Sequence, residues 1–116
     1  MATLTATLRA AICATPAQQR LGLAGKADLG DDDCYVFPFD PPRVAVMSTD
    51  GMLFSLDIVM IGPDGLVSEI HRAVPPDDRV VSQGLVSIVL ELAAGGADFF
   101  NMRIGQKLAA LGAFDA

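Results

Sequence analysis

The sequence predicts a mainly β domain, an antiparallel jelly-roll-like sandwich or barrel carrying one or two short helices. Three observations lead there. Short stretches alternate apolar and polar residues or are apolar throughout, Gly, Pro and Asp punctuate them at short intervals, and the helical signals are brief. At 116 residues, 52% of them hydrophobic and 19% charged, the chain has the length and composition of one packed domain spanning residues 1–116.

Residues 4–12 begin the series. Leu4, Ala6, Leu8, Ala10 and Ile12 fall on one side and Thr5, Thr7 and Arg9 on the other, the period of a half-buried strand. In "TPAQ", Thr15 is an N-cap, Pro16 suits the first helical position, and Gln18 completes a capping box. Gly22 and Gly25 keep that helix short. "LGDDDC" is a loop whose three adjacent aspartates lack the alternate spacing of a calcium loop. "CYVFPF" is a brief strand expected to stop at Pro38, "FDPPRV" a turn, and "VAVM" another short strand. "MLFSLDIVMI" is apolar on both faces, as a central strand is. "GPDG" turns it into its antiparallel partner "LVSEIHRAV". "VPPDDRVVSQG" is expected to be a loop, and "LVSIVLEL" a strand with Val86, Ile88, Leu90 and Leu92 on one side. "AAGGADFFNM" holds one helical turn, and "IGQKLAAL" turns into a last strand.

Composition excludes several functions. A net charge of −6, eight scattered basic residues and no Trp argue against nucleic acid, whose recognition draws on clustered Lys and Arg. No apolar run approaches the roughly 20 residues of a membrane span. The N-terminus has no basic start and Arg9 breaks its apolar stretch, so no signal peptide is expected and the sequence predicts a cytoplasmic location. Cys13 and Cys34 fit two buried thiols or one disulfide, and reduced thiols are expected. With one histidine and no metal-ligand spacing, no metal is predicted, nor any cofactor.

The candidate site residues lie in one hairpin. Asp57 interrupts an apolar strand, where a carboxylate must find donors or a partner charge. It either grips a ligand or structurally ties its strand to loop amides, to Arg20 or to Arg43. Glu69 and His71 lie two apart on the partner strand and so share a face. They could relay a proton or form a solvated edge. Glu91, between Leu90 and Leu92, is expected to face solvent or a loop.

Several strings in order resemble the small bacterial and archaeal proteins of the domain of unknown function 192 family. "RLGLAGK" (20–26) resembles the family's RxxGLMFR, "CYVFPF" its GMLFVF, and "SLDIVMIGPDG" its PLDIxFID strand and turn. "IHRAVPP", "VLELAAG" (89–95) and "IGQKL" (104–108) resemble the later IxxxxP, VLELPAG and GDxL elements. The chain departs where the family has FWMKNT and this sequence has "VMSTDGM". It departs again at Ala24, Gly25 and Lys26 and at Gln106. The resemblance implies a jelly-roll-like sandwich and no established activity. It places Arg20 at the first motif, where it could bind an anion. Many relatives look exported, which implies the same location here if the sequence is a trimmed one.

Three functions remain open. One is a non-catalytic domain binding a small molecule or protein segment, with Asp57, Arg20, Glu69 and His71 as ligand-binding candidates. The second is a small hydrolase or isomerase using Asp57 with Glu69 or His71, which needs those groups to converge. The third is a homodimerisation module, for which an exposed apolar patch around Val44, Val46 or Phe99 would speak.

Overall fold

The computed structural model describes residues 8–22, 29–107 and 114–115. It is mainly β, with strands β1 (Leu8–Ile12), β2 (Asp33–Ser48), β3 (Leu56–Ile61), β4 (Val67–Val74), β5 (Arg79–Ala93) and β6 (Phe114–Asp115). Two short helices are present, α1 (Pro16–Leu21) and α2 (Gly96–Phe99). One open sheet holds all six strands in the order β4-β3-β5-β2-β1-β6. Of the first expected strand, residues 4–7 lie outside the described residues. Ile12, expected to be buried, is half exposed.

The sheet is mixed rather than wholly antiparallel. β1 runs parallel to both β2 and β6. The physical reason is the connection: twenty residues separate Ile12 from Asp33, with α1 among them, and a crossover of that length can join parallel neighbours. The remaining pairs, β2 with β5, β3 with β4 and β3 with β5, are antiparallel as expected. The capping box at α1 forms as its residues predict: Thr15 Oγ1 accepts from the Gln18 N–H at 3.1 Å, and Gln18 Oε1 accepts from the Thr15 N–H at 3.0 Å.

Two stretches expected as loops are strand. β2 continues through Pro38, Pro41 and Pro42 into "VAVM", and β5 starts at Arg79, so only residues 75–78 remain as the connecting loop. Gln19 of α1 explains how Pro38 is tolerated. Its Nε2 donates to the carbonyls of Pro38 at 2.8 Å and Cys13 at 3.0 Å, standing beside β2 where β1 has ended. In an extended strand the N and carbonyl of one residue point to the same side, so the donor Pro38 lacks is one β5 never needed. Between Pro38↔Ile88 and Arg43↔Val86, residues 39–42 oppose Ser87 alone. A second irregularity follows between Val44↔Leu85 and Val46↔Val81. There the Ala45 N–H donates to Ser82 Oγ at 2.8 Å, and that hydroxyl donates to the Gly84 carbonyl at 2.7 Å. Beyond these shifts β2 and β5 form a two-stranded ribbon.

The ribbon folds back over the body of the sheet. Its inward residues Ala45, Met47 and Val86 join one core with Phe37, Leu56, Ile58, Met60 and Val89. The opposite face carries a second core of Cys34, Val59, Ile61, Val67, Leu90 and Leu92, closed by Ala97 of α2 and by Met102. β3 is buried along its entire length because both its faces are covered.

The hairpin between β3 and β4 turns where the sequence places it. The Gly65 N–H donates to the Gly62 carbonyl at 3.0 Å, the Gly62 N–H to Leu66 at 2.9 Å, and Asp64 Oδ1 accepts from the Leu66 N–H at 3.0 Å. Gly65 has φ of +80°, and a Cβ there would meet nothing within 4 Å. The cost of a side chain is therefore conformational. Gly65→Val is expected to lose on the order of 1 kcal/mol or more, read as a lower denaturant midpoint at unchanged slope.

Candidate functional site

The register assigns each polar candidate to a face. Residues directly opposite in neighbouring strands share one side of a sheet. Ile58 is opposite both His71 and Glu91, Glu91 is opposite Tyr35, and Tyr35 is opposite Ala11. His71, Ile58, Glu91, Tyr35 and Ala11 thus form one row across five strands, on the inner face under the ribbon. Glu69, opposite Met60, is on that face too. Asp57 is opposite Leu92 and belongs to the other face.

Asp57 is buried to 1% exposure and its carboxylate is filled by backbone donors. Oδ1 accepts from the Ala73 N–H at 2.9 Å, and Oδ2 from the Gly95 and Ala97 N–H groups, both at 3.0 Å. Ala73 has a positive φ of 52° and sits in the β4 irregularity between Leu56↔Val74 and Ile58↔His71. Gly95 and Ala97 begin α2, whose N-cap has no side-chain hydrogen bond of its own. One carboxylate therefore pins a strained bulge and caps a helix from another strand. The two glycines of "AAGGAD" serve the same junction: Gly95 has φ of +93°, and a Cβ at Gly96 would come within 2.9 Å of Leu92 Cβ. Arg43 does not reach Asp57; it donates to Gln19 Oε1 at 3.2 Å and stacks on Phe39, 4.1 Å from the ring centroid.

Glu69 and His71 meet, with Oε1 2.9 Å from Nε2. The other Glu69 oxygen accepts from the Gln83 N–H of the ribbon at 2.8 Å, so this carboxylate latches the ribbon to the edge strand β4. The sheet itself separates this pair from Asp57. The convergence needed for a hydrolase or isomerase built from Asp57 with Glu69 or His71 is absent. Arg20 lies in α1, with its side chain outside the described residues. No group of three or more His, Cys, Asp or Glu close enough to hold a metal occurs among the described residues.

Glu91 was expected near solvent and is instead 4% exposed, because β5 lies between β3 and β2 with the ribbon above it. Burial pushes its carboxyl up from the ordinary 4.5 to about 7. Cys34 is also buried. Burial first, then the nearby Glu91 charge, push its thiol up to about 12, a backbone hydrogen bond opposing them, so it stays protonated and unreactive at neutral pH. Cys13 and Cys34 are both thiols and belong to the cores on opposite faces of the sheet. Of the signals in the sequence, only the alternation of "VLEL" could have put Glu91 on the inner face; nothing local announced its burial.

The ribbon's outer face carries an apolar block beside the exposed Ser48↔Arg79 pair. Val44 is opposite Leu85 and Val46 opposite Val81, and these four residues are between 48% and 55% exposed. Phe99 and Ile104 are also exposed.

Together these features define a class: a small domain built on one open mixed sheet, whose long β2/β5 ribbon folds over a largely apolar inner face. The chain belongs to the domain of unknown function 192 family, described as "Uncharacterized ACR", whose pattern it matches over residues 2–110. No curated protein matches it. A protein of unknown function from Novosphingobium aromaticivorans DSM 12444 has a similar structure, with 28% identity and a TM-score of 0.81 over 86% of this chain and 73% of that one. A protein from Sinorhizobium meliloti 1021 described as a "putative transcription regulator" is also similar. Its identity is 26% and its TM-score 0.81, over 86% of this chain and 79% of that one. No helix among the described residues is long and apolar enough to cross a membrane.

Proposed function

We propose that the protein is a non-catalytic binding domain, one unit over residues 1–116, that engages a protein segment through the outer face of the β2/β5 ribbon. The supporting observation is the block of Val44, Val46, Val81 and Leu85, four apolar side chains paired across two strands and left half exposed. Asp57 is spent on backbone amides and Glu69 on the ribbon and His71. The regulator description of the Sinorhizobium protein lends no nucleic-acid role here, since the net charge of −6 and scattered basic residues oppose it.

A peptide-display selection against the full chain tests this, with a Val46→Asp/Val81→Lys variant as the counter-screen. Peptides retained by the parent chain should lose at least tenfold in affinity for the variant, circular dichroism being unchanged. Selected peptides that bind both equally would assign the partner surface elsewhere. The same block supports a second reading, a homodimer with ribbon faces apposed. Light scattering separates the two: a dimer that the double variant converts to monomer favours the second.

A further inference from the structure

We propose that the free edge of β2 along residues 44–48 takes an extended segment of a partner protein as an added strand of the ribbon, a segment with alternate apolar residues and a basic flank. The proposal rests on the ribbon reading and gives it a mode: main chain pairs with main chain, and the segment's side chains cover the outer face. The alternation of β2 identifies the groups concerned. The Ala45 N–H donates to Ser82 Oγ at 2.8 Å. The Thr49 N–H donates to the Asp78 carbonyl at 2.9 Å, and the Thr49 carbonyl accepts from the Asp77 N–H at 3.1 Å. Residues 45 and 49 thus face β5, as does Met47 between them. The irregularity opposite Ala45 lies in β5, where residues 82–84 face it, so β2 keeps its alternation. Val44, Val46 and Ser48 therefore turn their N–H and C=O groups the other way. β1 pairs with β2 only over residues 33–36, and no described residue hydrogen-bonds to those groups.

The two halves of this edge differ. Residues 37–42 include Pro38, Pro41 and Pro42, and Gln19 occupies the Pro38 carbonyl. Residues 44–48 have no proline and no charge, the devices that ordinarily close an edge. The open stretch has the length of an ordinary strand. In the same register Val44 and Val46 stand on the outer face beside Leu85 and Val81, so alternate apolar residues of an added strand would lie next to them. Past Ser48 the surface turns acidic. Asp50, Asp77 and Asp78 are exposed and outnumber Arg79, and Thr49 ties together the two loops that carry them. Lysine or arginine beyond the apolar run complements that end.

The test is an NMR titration of the full chain with the synthetic peptide acetyl-Lys-Val-Thr-Val-Thr-Val-Thr-Lys-amide. Saturating peptide should slow amide exchange at Val44, Val46 and Ser48 by roughly tenfold or more and leave Ala45 and Met47 nearly unchanged. Two further peptides carry backbone N-methyl groups on all the valines or on all the threonines. An added strand turns only one of these sets towards β2, so one peptide should bind about as well as the parent and the other at least tenfold more weakly. These peptides leave the protein itself untouched, so the comparison does not depend on a variant folding. Binding that shifts Val46, Val81 and Leu85 without protecting the amides of Val44, Val46 and Ser48 would overturn strand addition and leave the ribbon reading standing. Equal binding to the Val46→Asp/Val81→Lys chain would overturn both. Equal loss with both methylated peptides, or no binding at millimolar peptide, would overturn the proposal.

Discussion

Replacing Asp57 with alanine is expected to cost about 3–5 kcal/mol, the largest effect of any single polar substitution in the body of the sheet. Three backbone N–H groups lose a charged acceptor at once, and the Ala97 donor is fully buried, where water cannot replace it. The melting temperature should fall by roughly 10–20 °C for a chain of this size. Asp57→Asn should fall between the parent and Asp57→Ala, since the amide keeps one acceptor but turns an NH₂ group towards other donors. His71→Ala, losing only a partly exposed contact to Glu69, should change stability by less than about 1 kcal/mol. Calorimetry of the three variants checks the order. A fully stable Asp57→Ala chain would remove the junction role.

The second large effect is a loss of stability as pH rises. The Glu91 carboxyl titrates near 7 in the folded chain and near 4.5 when unfolded. Between those values the folded state holds the extra proton. Stability is then fully present below about pH 4.5 and is lost as pH climbs through 7, for about 2–3 kcal/mol between pH 5 and pH 8. Glu91→Gln should remove most of that slope and be the more stable chain at pH 8. Denaturant melts of both chains across this range measure it directly. A parent chain equally stable at pH 5 and pH 8, once compared with Glu91→Gln, would mean that Glu91 is not desolvated.

The legible parts of the sequence were those decided locally. The capping box at Thr15, the turn at Pro63–Gly65, the buried β3 and the shared face of Ile88, Leu90 and Leu92 in β5 each follow from residues close in the chain, whereas Val86, expected on that face, packs in the opposite core. The illegible parts were decided by partners far away. Pro38 reads as a strand breaker until Gln19 is seen satisfying the side of β2 that faces away from β5. Glu91 reads as exposed until the ribbon is known to fold over its row. In the candidate site, spacing paired Glu69 with His71, and it could not tell that an irregularity at Ser68, between Ile61↔Val67 and Met60↔Glu69, puts that pair on the face opposite to Asp57.

The junction of α1 with β2 bears on how the molecule stays apart from its own copies. An unpaired strand edge is a template on which another chain can add, and β2 presents one once β1 has ended. Along residues 37–42, three positions are proline and offer no N–H, and the Pro38 carbonyl is already taken by Gln19. An incoming strand would find no donor at Pro38, Pro41 or Pro42 and the Pro38 carbonyl already occupied. Gln19 and the prolines together guard against fibre growth, and a Gln19→Ala chain that polymerises on storage while melting normally would show where the guard had stood.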